Sequence, residues 1–228
     1  MNFKCIIEQT FPFAENKFKE QFVDLLKSFG HIFHVDTKKH LAIFLANVKA
    51  EIWIKKGGKV VVRENLNYSK DGLIKTFKFF RHHQKLAKKY GRTKWHKANQ
   101  KAIANLAYAY RLGNGSPDSG DGFRYRGVGV LQSTGKETIK KDLKVIEKLL
   151  NIKLINDDGN VYSGFLDTYA GAILIGLAHY LRAMSKTKNI NESIDIINKY
   201  TNSRAKRVGY YYKTLKIINK CERSAKYA

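Results

Sequence analysis

Apolar residues recur at three- and four-residue spacing along most of the chain, the pattern of amphipathic helices. Phe22, Leu25, Leu26 and Phe29 line one side of the stretch 18–29. Asp36 and Thr37 carry the side chains of helix N-caps. Leu41, Phe44, Leu45, Val48 and Ile52 continue the period, which predicts a helix to about Glu51. The period then changes. Ile52-Trp53-Ile54 and Lys59-Val60-Val61-Val62-Arg63, separated by Lys55-Lys56-Gly57-Gly58, predict two short strands around a Gly-Gly turn. Ser69 is placed to cap a helix with Leu73, Ile74, Phe77 and Phe80 on one side, and another helix is expected over 98–110.

Six glycines between 113 and 129 mark a loop, and helices return after it. Ile139, Leu143, Ile146 and Leu150 share one face of 136–150. The stretch 164–184 is apolar on most sides, which predicts a central buried helix. Asn191 opens a segment to about Tyr200, and 206–219 closes the chain. The expected class is mainly α with a small β-hairpin. There is no internal repeat, and the only two prolines, Pro12 and Pro117, form no linker. One domain spanning 1–228 is therefore expected.

Charge narrows the choice of partner. Forty-three Lys and Arg stand against 19 Asp and Glu, a formal +24. A field of that sign attracts polyanions: nucleic acid, anionic lipid, or the acidic polymers of a bacterial wall. Solvated Lys-rich helix faces account for the same numbers equally well. Cys5 and Cys221 lie too far apart in sequence to read as a disulfide framework, and no His/Cys spacing points to zinc. Neither a metal nor another cofactor is expected. The N-terminus lacks a sustained apolar region of the secretory kind, and no apolar run reaches the length of a membrane span. The expectation is a chain made in the cytoplasm without a transmembrane segment.

Two carboxylates carry the candidate chemistry. Glu51 comes three residues after Val48 and seven after Phe44, so helical geometry puts it on the apolar stripe. A carboxyl there is desolvated, which favours its protonated form and suits a general acid. A helix-end Glu turned to solvent or paired with a Lys is the plainer reading. Glu64 follows the second strand and precedes a polar turn, where it should be better hydrated and ionised. One protonated and one ionised carboxyl group are what acid and base roles require. A surface Glu paired with Arg63 or Lys70 is again the plainer reading. Asn65 and Asn67 could bond sugar hydroxyls, or simply shape a turn ahead of Ser69.

The loop 120–135 reads Gly-Asp-Gly-Phe-Arg-Tyr-Arg-Gly-Val-Gly-Val-Leu-Gln-Ser-Thr-Gly. Its glycines allow close backbone approach. It lacks the Gly-Lys-Ser/Thr of a phosphate cradle and the third Gly of a dinucleotide fingerprint. Phe123 and Tyr125 could stack on sugar rings, and Gln132 and Thr134 could hold a substrate group or a water. Packing the aromatics into the core is the alternative.

Taken together, these fragments resemble glycoside hydrolase family 19, the chitinase-like enzymes that include many phage endolysins. Phe44-Leu45-Ala46-Asn47-Val48-Lys49-Ala50-Glu51 is similar to the family's helix ending in His-Glu-Ser. Glu64-Asn65-Leu66-Asn67-Tyr68-Ser69 resembles the endolysin branch residue for residue. Ala104-Asn105 and the run Tyr108 to Gly115 resemble the next block, and 120–135 resembles the Gly-Arg-Gly-x-x-Gln-Leu-Thr-Gly signature. Ile197-Asn198, Thr201-Asn202 and Arg207 are similar to the closing motif. The resemblance spans about 37–212, leaving 1–35 as an accessory helical segment. It departs at Ala50, Ile52, Ser133, Thr138-Ile139 and Lys199-Tyr200, and in a longer hairpin between the two glutamates.

The resemblance implies a lysozyme-like, two-lobed fold with a substrate cleft and an inverting mechanism. It implies Glu51 as general acid, Glu64 as general base, and Thr134 as the hydroxyl that helps hold the attacking water. Gln132, Asn198 and Arg207 are implied to line the cleft; Tyr125 and Asn67 are further candidate contacts by their own side-chain chemistry. The expected substrate is the β-1,4-linked polymer of bacterial peptidoglycan, since positive charge fits an anionic wall better than neutral chitin. Chitin is the nearest alternative, and a non-catalytic wall binder is a second. No recognisable module points to specific nucleic-acid binding. The chain is expected to act as a monomer, on the wall, after release from the cytoplasm.

Overall fold

The structure is a computed structural model. It describes residues 1–162 and 164–224, with the backbone but not the side chain of Asn198. Its order is α1 (Phe3–Thr10), α2 (Asn16–Phe29), α3 (Lys38–Glu51), β1 (Trp53–Ile54), β2 (Val60–Val61), α4 (Lys70–Thr76), α5 (Lys78–His82), α6 (Gln84–Tyr90) and α7 (Gln100–Ala107). Then come α8 (Asp121–Arg124), α9 (Lys136–Leu150), α10 (Tyr169–Met184), α11 (Ile190–Asn198) and α12 (Arg204–Ser224). The expected class, mainly α with one small hairpin, is what the chain adopts. The strands pair antiparallel, Trp53 opposite Val61 and Ile54 opposite Val60. No helix of the described residues is long and apolar enough to cross a membrane.

The chain gathers into two compact units. Unit 1 is Met1–Val62, Gly129–Gln132 and Asp142–Ala228; unit 2 is Arg63–Val128 and Ser133–Lys141.

Unit 1 is built on α3 and α10. Thr37 caps α3 by accepting from the His40 amide, as its position predicts. Every residue from Leu41 to Val48 is buried, so α3 has no solvent face through its middle. The stretch 164–184 was expected as the buried helix; the helix starts only at Tyr169, capped by Thr168, and shares that central place with α3. The first 35 residues, expected as an accessory segment, supply two helices to this core. Phe11, Phe18 and Phe22 are buried, and Phe22 meets Phe44 of α3 with ring centroids 6.1 Å apart. Such ring pairs contribute beyond their buried area.

Tyr169 ties the hairpin to this core. Its hydroxyl accepts from the Val60 amide at 3.1 Å and donates to the Glu15 carboxylate. The Glu15 amide in turn donates to the Gly58 carbonyl at 2.9 Å. Cys5 of α1 and Cys221 of α12 form a disulfide across 216 residues of sequence. Spacing alone did not foretell that bridge, because only the tertiary fold brings α1 onto α12.

Unit 2 has its own core of Leu66, Leu73, Phe77, Phe80, Ala87, Ile103 and Ala104. Ser69 caps α4 by accepting from the Gly72 amide at 3.2 Å. The helix expected to continue through Phe80 breaks at Phe77, whose backbone is extended. Its ring lies edge-on to Tyr68 and Tyr108, at 5.6 and 5.9 Å between centroids. Within 113–129, expected as loop, Asp121–Arg124 winds into the short α8.

Replacing Cys5 and Cys221 by Ser frees a very long loop in the unfolded state, and the expected loss of stability is about 2–4 kcal/mol by urea unfolding. Burial first, and the Glu15 hydrogen bond second, push the Tyr169 phenol up from 10.0 to about 12. Burial also raises Tyr180 and Tyr108. Below pH 10 these phenols are neutral in both states and contribute no pH dependence. Above it the unfolded chain ionises while the folded chain keeps its protons, so stability should fall as pH climbs through Tyr169's range, from 10.0 to about 12. Urea midpoints measured across that range test this, and Tyr169→Phe should flatten the slope.

Candidate functional site

The sequence-predicted residues fall into two groups, one in each unit. In unit 1, Glu51 ends α3 and is not in the purely apolar setting expected for it. Its carboxylate accepts from the Arg207 guanidinium, with side-chain exposures of 22% and 5% respectively. Arg207, near the start of α12, is clamped from three directions. Nη2 donates to Glu51, Nη1 donates to Asn47 Oδ1 at 3.2 Å, and Nε donates to Ser203 Oγ at 2.9 Å. Asn47 is fully buried one turn before Glu51, and its Nδ2 donates to the Ile43 carbonyl and to Ser193 Oγ, both at 3.1 Å.

A buried guanidinium needs acceptors on several sides; α3 supplies two of them and Ser203, just ahead of α12, the third, while Ser193 of α11 holds Asn47 in place. As arranged, the ion pair contains a carboxylate. Gln132 also belongs to unit 1. Its backbone φ is 54°, and both its amide and its Nε2 donate to the Gly129 carbonyl, at 3.2 and 2.9 Å. The side chain thus closes the turn 129–132. Gly129 is required there: its φ is +80°, and a Cβ would lie 2.3 Å from Ile175 Cγ2. Asn198 ends α11, and its side chain lies outside the described residues.

In unit 2, Glu64 is gripped by donors. Tyr108 Oη donates to Oε1 at 2.7 Å, and the Gly127 amide donates to Oε2 at 3.2 Å. The Glu64 amide returns a bond to the Gly127 carbonyl at 2.8 Å. Burial first, then the charge of Glu64, pushes the Tyr108 phenol up, so it remains a neutral donor. Glu64 is half-buried, less hydrated than its place in the sequence implied, yet its oxygens are satisfied as a carboxylate's should be.

The loop that carries Gly127 is itself fixed. Gly122 lies against α7, where a Cβ would meet the Ala104 carbonyl oxygen at 2.4 Å. That approach lets the Phe123 amide donate to Asn105 Oδ1 at 2.7 Å. Arg126 lies over the Phe123 ring at 4.0 Å, donates to the Phe123 carbonyl at 2.7 Å, and reaches the Glu64 carbonyl at 3.3 Å. Thr134 is half-buried in the same unit, followed by Gly135, whose amide donates to the Tyr125 carbonyl at 2.8 Å.

Two further residues take the structural alternative of the two readings given for each. Tyr125 is 1% exposed, so its ring offers no open face for stacking on a sugar; the alternative of packing inward is the one the loop takes. Its hydroxyl is buried without a hydrogen-bond partner among the described residues. Asn67 serves the turn: its amide donates to Asn65 Oδ1 at 3.1 Å, and its own Oδ1 accepts from the Ala98 amide at 3.0 Å. Sequence reasoning missed Asn47, Tyr108 and Arg126 as participants. Asn47 carried a usable signal, a lone polar residue inside the apolar run Leu41–Val48. Tyr108 opens a run that resembles a family block, but its bond to Glu64 has no local signal, because Phe77 and Glu64 are both far away in sequence.

No family model matches the chain. Over 100 residues it is 45% identical to a glycosyl hydrolase family 19 domain-containing protein of Haemophilus influenzae. That match covers 44% of this chain and 45% of the other, so the chain spans less than half the length of that curated relative. The similarity is thus to part of a protein that carries a domain of that family.

Replacing Arg207 by Met strands Asn47 and the Glu51 carboxylate. The expected loss is about 3 kcal/mol in urea unfolding, at the lower end for a broken buried pair because Glu51 keeps some access to water. Adding Glu51→Gln to Arg207→Met should recover part of that loss.

Proposed function

We propose that the protein is a glycosidase of the endolysin type that hydrolyses β-1,4 bonds of bacterial peptidoglycan with inversion. The observation that carries this reading is the orientation of Glu64 by the Tyr108 hydroxyl and the Gly127 amide. A carboxylate fixed by two donors is a preorganised general base. Glu64 takes a proton from water as that water attacks the anomeric carbon, and Glu51 donates a proton to the departing glycosidic oxygen. An inverting reaction requires the two carboxyl groups about 6.5–9.5 Å apart at one bond to admit the water.

Thr134 helps hold the water, and Arg207, Gln132 and Asn198 contact the polymer, Arg207 by exchanging Glu51 for a substrate acceptor as Glu51 takes its proton. Asn67 offers its Nδ2, and Tyr125 contributes by fixing the loop from within. The chain acts as one catalytic domain, working as a monomer. The protein is made in the cytoplasm and reaches the wall after release. The Cys5–Cys221 disulfide supports action outside a reducing compartment. The formal +24 favours an anionic wall over chitin.

The test is mass spectrometry of fragments released from purified sacculi and from chitin oligomers. The wild type should leave reducing ends on sacculus fragments, with the anomer of inverted configuration seen by NMR. Glu51→Gln and Glu64→Gln should each lower kcat/KM about a hundredfold or more. Full activity of Glu64→Gln with anhydro-ended products would replace hydrolysis by a transglycosylase reaction. Faster cutting of chitin oligomers would move the substrate to chitin. Binding to sacculi with no new ends would leave only a wall binder.

A further inference from the structure

Between Asp71 and Asp118 the chain holds eleven Lys and Arg and not one Asp or Glu. All eleven are exposed: Lys75, Lys78, Arg81 and Lys85 before the middle of α6, then Lys88, Lys89, Arg92, Lys94, Lys97, Lys101 and Arg111. None of them forms an ion pair with a carboxylate among the described residues. Elsewhere the chain does supply such partners, as in Lys141 with Glu137, Lys153 with Asp157 and Arg204 with Asp195. The positive charge of this segment is therefore uncompensated from within.

The segment also presents a shaped tip. α6 turns Ala87 into the core and leaves Lys85, Lys88 and Lys89 outside. The loop 91–99 that follows is fastened at both ends. The Arg92 amide donates to the Tyr68 carbonyl at 2.7 Å, and the Asn99 amide donates to the Tyr90 carbonyl at 2.9 Å. At its apex Thr93 Oγ1 accepts from the amides of Trp95 and His96, at 3.1 and 3.2 Å, while the Thr93 amide donates to the His96 carbonyl at 3.0 Å. This tight turn projects Trp95, which is 82% exposed, with the Lys94 ammonium 4.6 Å from its ring centroid.

We infer that the loop 91–99 and the adjoining face of α6 form a docking surface for an anionic phospholipid membrane, with Trp95 entering the headgroup layer. Indole rings favour that layer because one edge is apolar and the other donates a hydrogen bond. Lys and Arg around it meet the lipid phosphates, and their attraction adds charge by charge. A nucleic acid offers phosphates too, but binding of single strands stacks successive bases on several aromatic rings. Trp95 is the only phenyl or indole ring in this loop, so the lipid surface is the better fit. The surface lies wholly within unit 2, and the inference does not rest on the hydrolase reading.

The experiment uses the full chain carrying Trp53→Phe, so that emission reports the remaining tryptophan, Trp95. Vesicles of phosphatidylglycerol mixed with phosphatidylcholine should shift that emission to the blue and sediment the protein, and vesicles of phosphatidylcholine alone should do neither. Lys94→Gln with Lys97→Gln should weaken binding about thirtyfold, and Trp95→Ala should abolish most of the sedimentation. Lys144→Gln with Lys148→Gln on α9, also exposed, should change little. Equal weakening by both lysine pairs would overturn the inference in favour of bulk charge. Binding to phosphatidylcholine alone, or to single-stranded DNA without binding to anionic vesicles, would overturn it as well. These exposed substitutions should leave the circular dichroism of the fold unchanged.

Discussion

Arg207 is buried at the meeting of α3 and α12, and a guanidinium withdrawn from water must be met by acceptors on every side or it destabilises the fold. Glu51, Asn47 and Ser203 meet it here. Because α3 is enclosed through its middle, Asn47 could not sit there without partners of its own, and Arg207 and Ser193 provide them. The placement of Glu51 is thus a by-product of how unit 1 solves a burial problem. Its side chain is oriented by that buried cation.

The second carboxylate is oriented by different means. Glu64 is positioned by neutral donors, a phenol and a backbone amide, and both trace back to the core of unit 2. Phe77 breaks the helix to place its ring against Tyr108, and Gly122 brings α8 close enough to α7 to fix the loop that ends in Gly127. The contrast suits the roles proposed above. A base needs its charge accommodated without being neutralised by a strong cation, whereas an acid can tolerate a partner that it releases on protonation.

Much of this was legible in the sequence where local physics dominates. The bounds of α9 follow from a strong amphipathic period, and Thr37 and Ser69 announce their caps by chemistry alone. The hairpin followed from its Gly-Gly turn and its run of β-branched residues. Legibility failed where tertiary contact overrode local pattern. Nothing near Phe77 is a helix breaker, so the interruption there comes from the demand for ring packing. α6 was overlooked because a Lys-rich turn around Ala87 has too narrow an apolar face to announce itself. At the site, helical spacing and turn context single out both glutamates and the family resemblance implies their roles, but Arg207 lies 156 residues from Glu51 and Tyr108 lies 44 from Glu64, separations at which spacing carries no geometric information.

The covalent link between Cys5 and Cys221 has a topological consequence. Nearly the whole polypeptide becomes a closed ring, so a protease that severs one exposed surface turn would open the ring without releasing a fragment. Two cleavages would be needed to liberate a piece of the chain while the sulfur bridge is intact. In surroundings rich in degradative enzymes, that geometry favours persistence of a nicked but still assembled molecule.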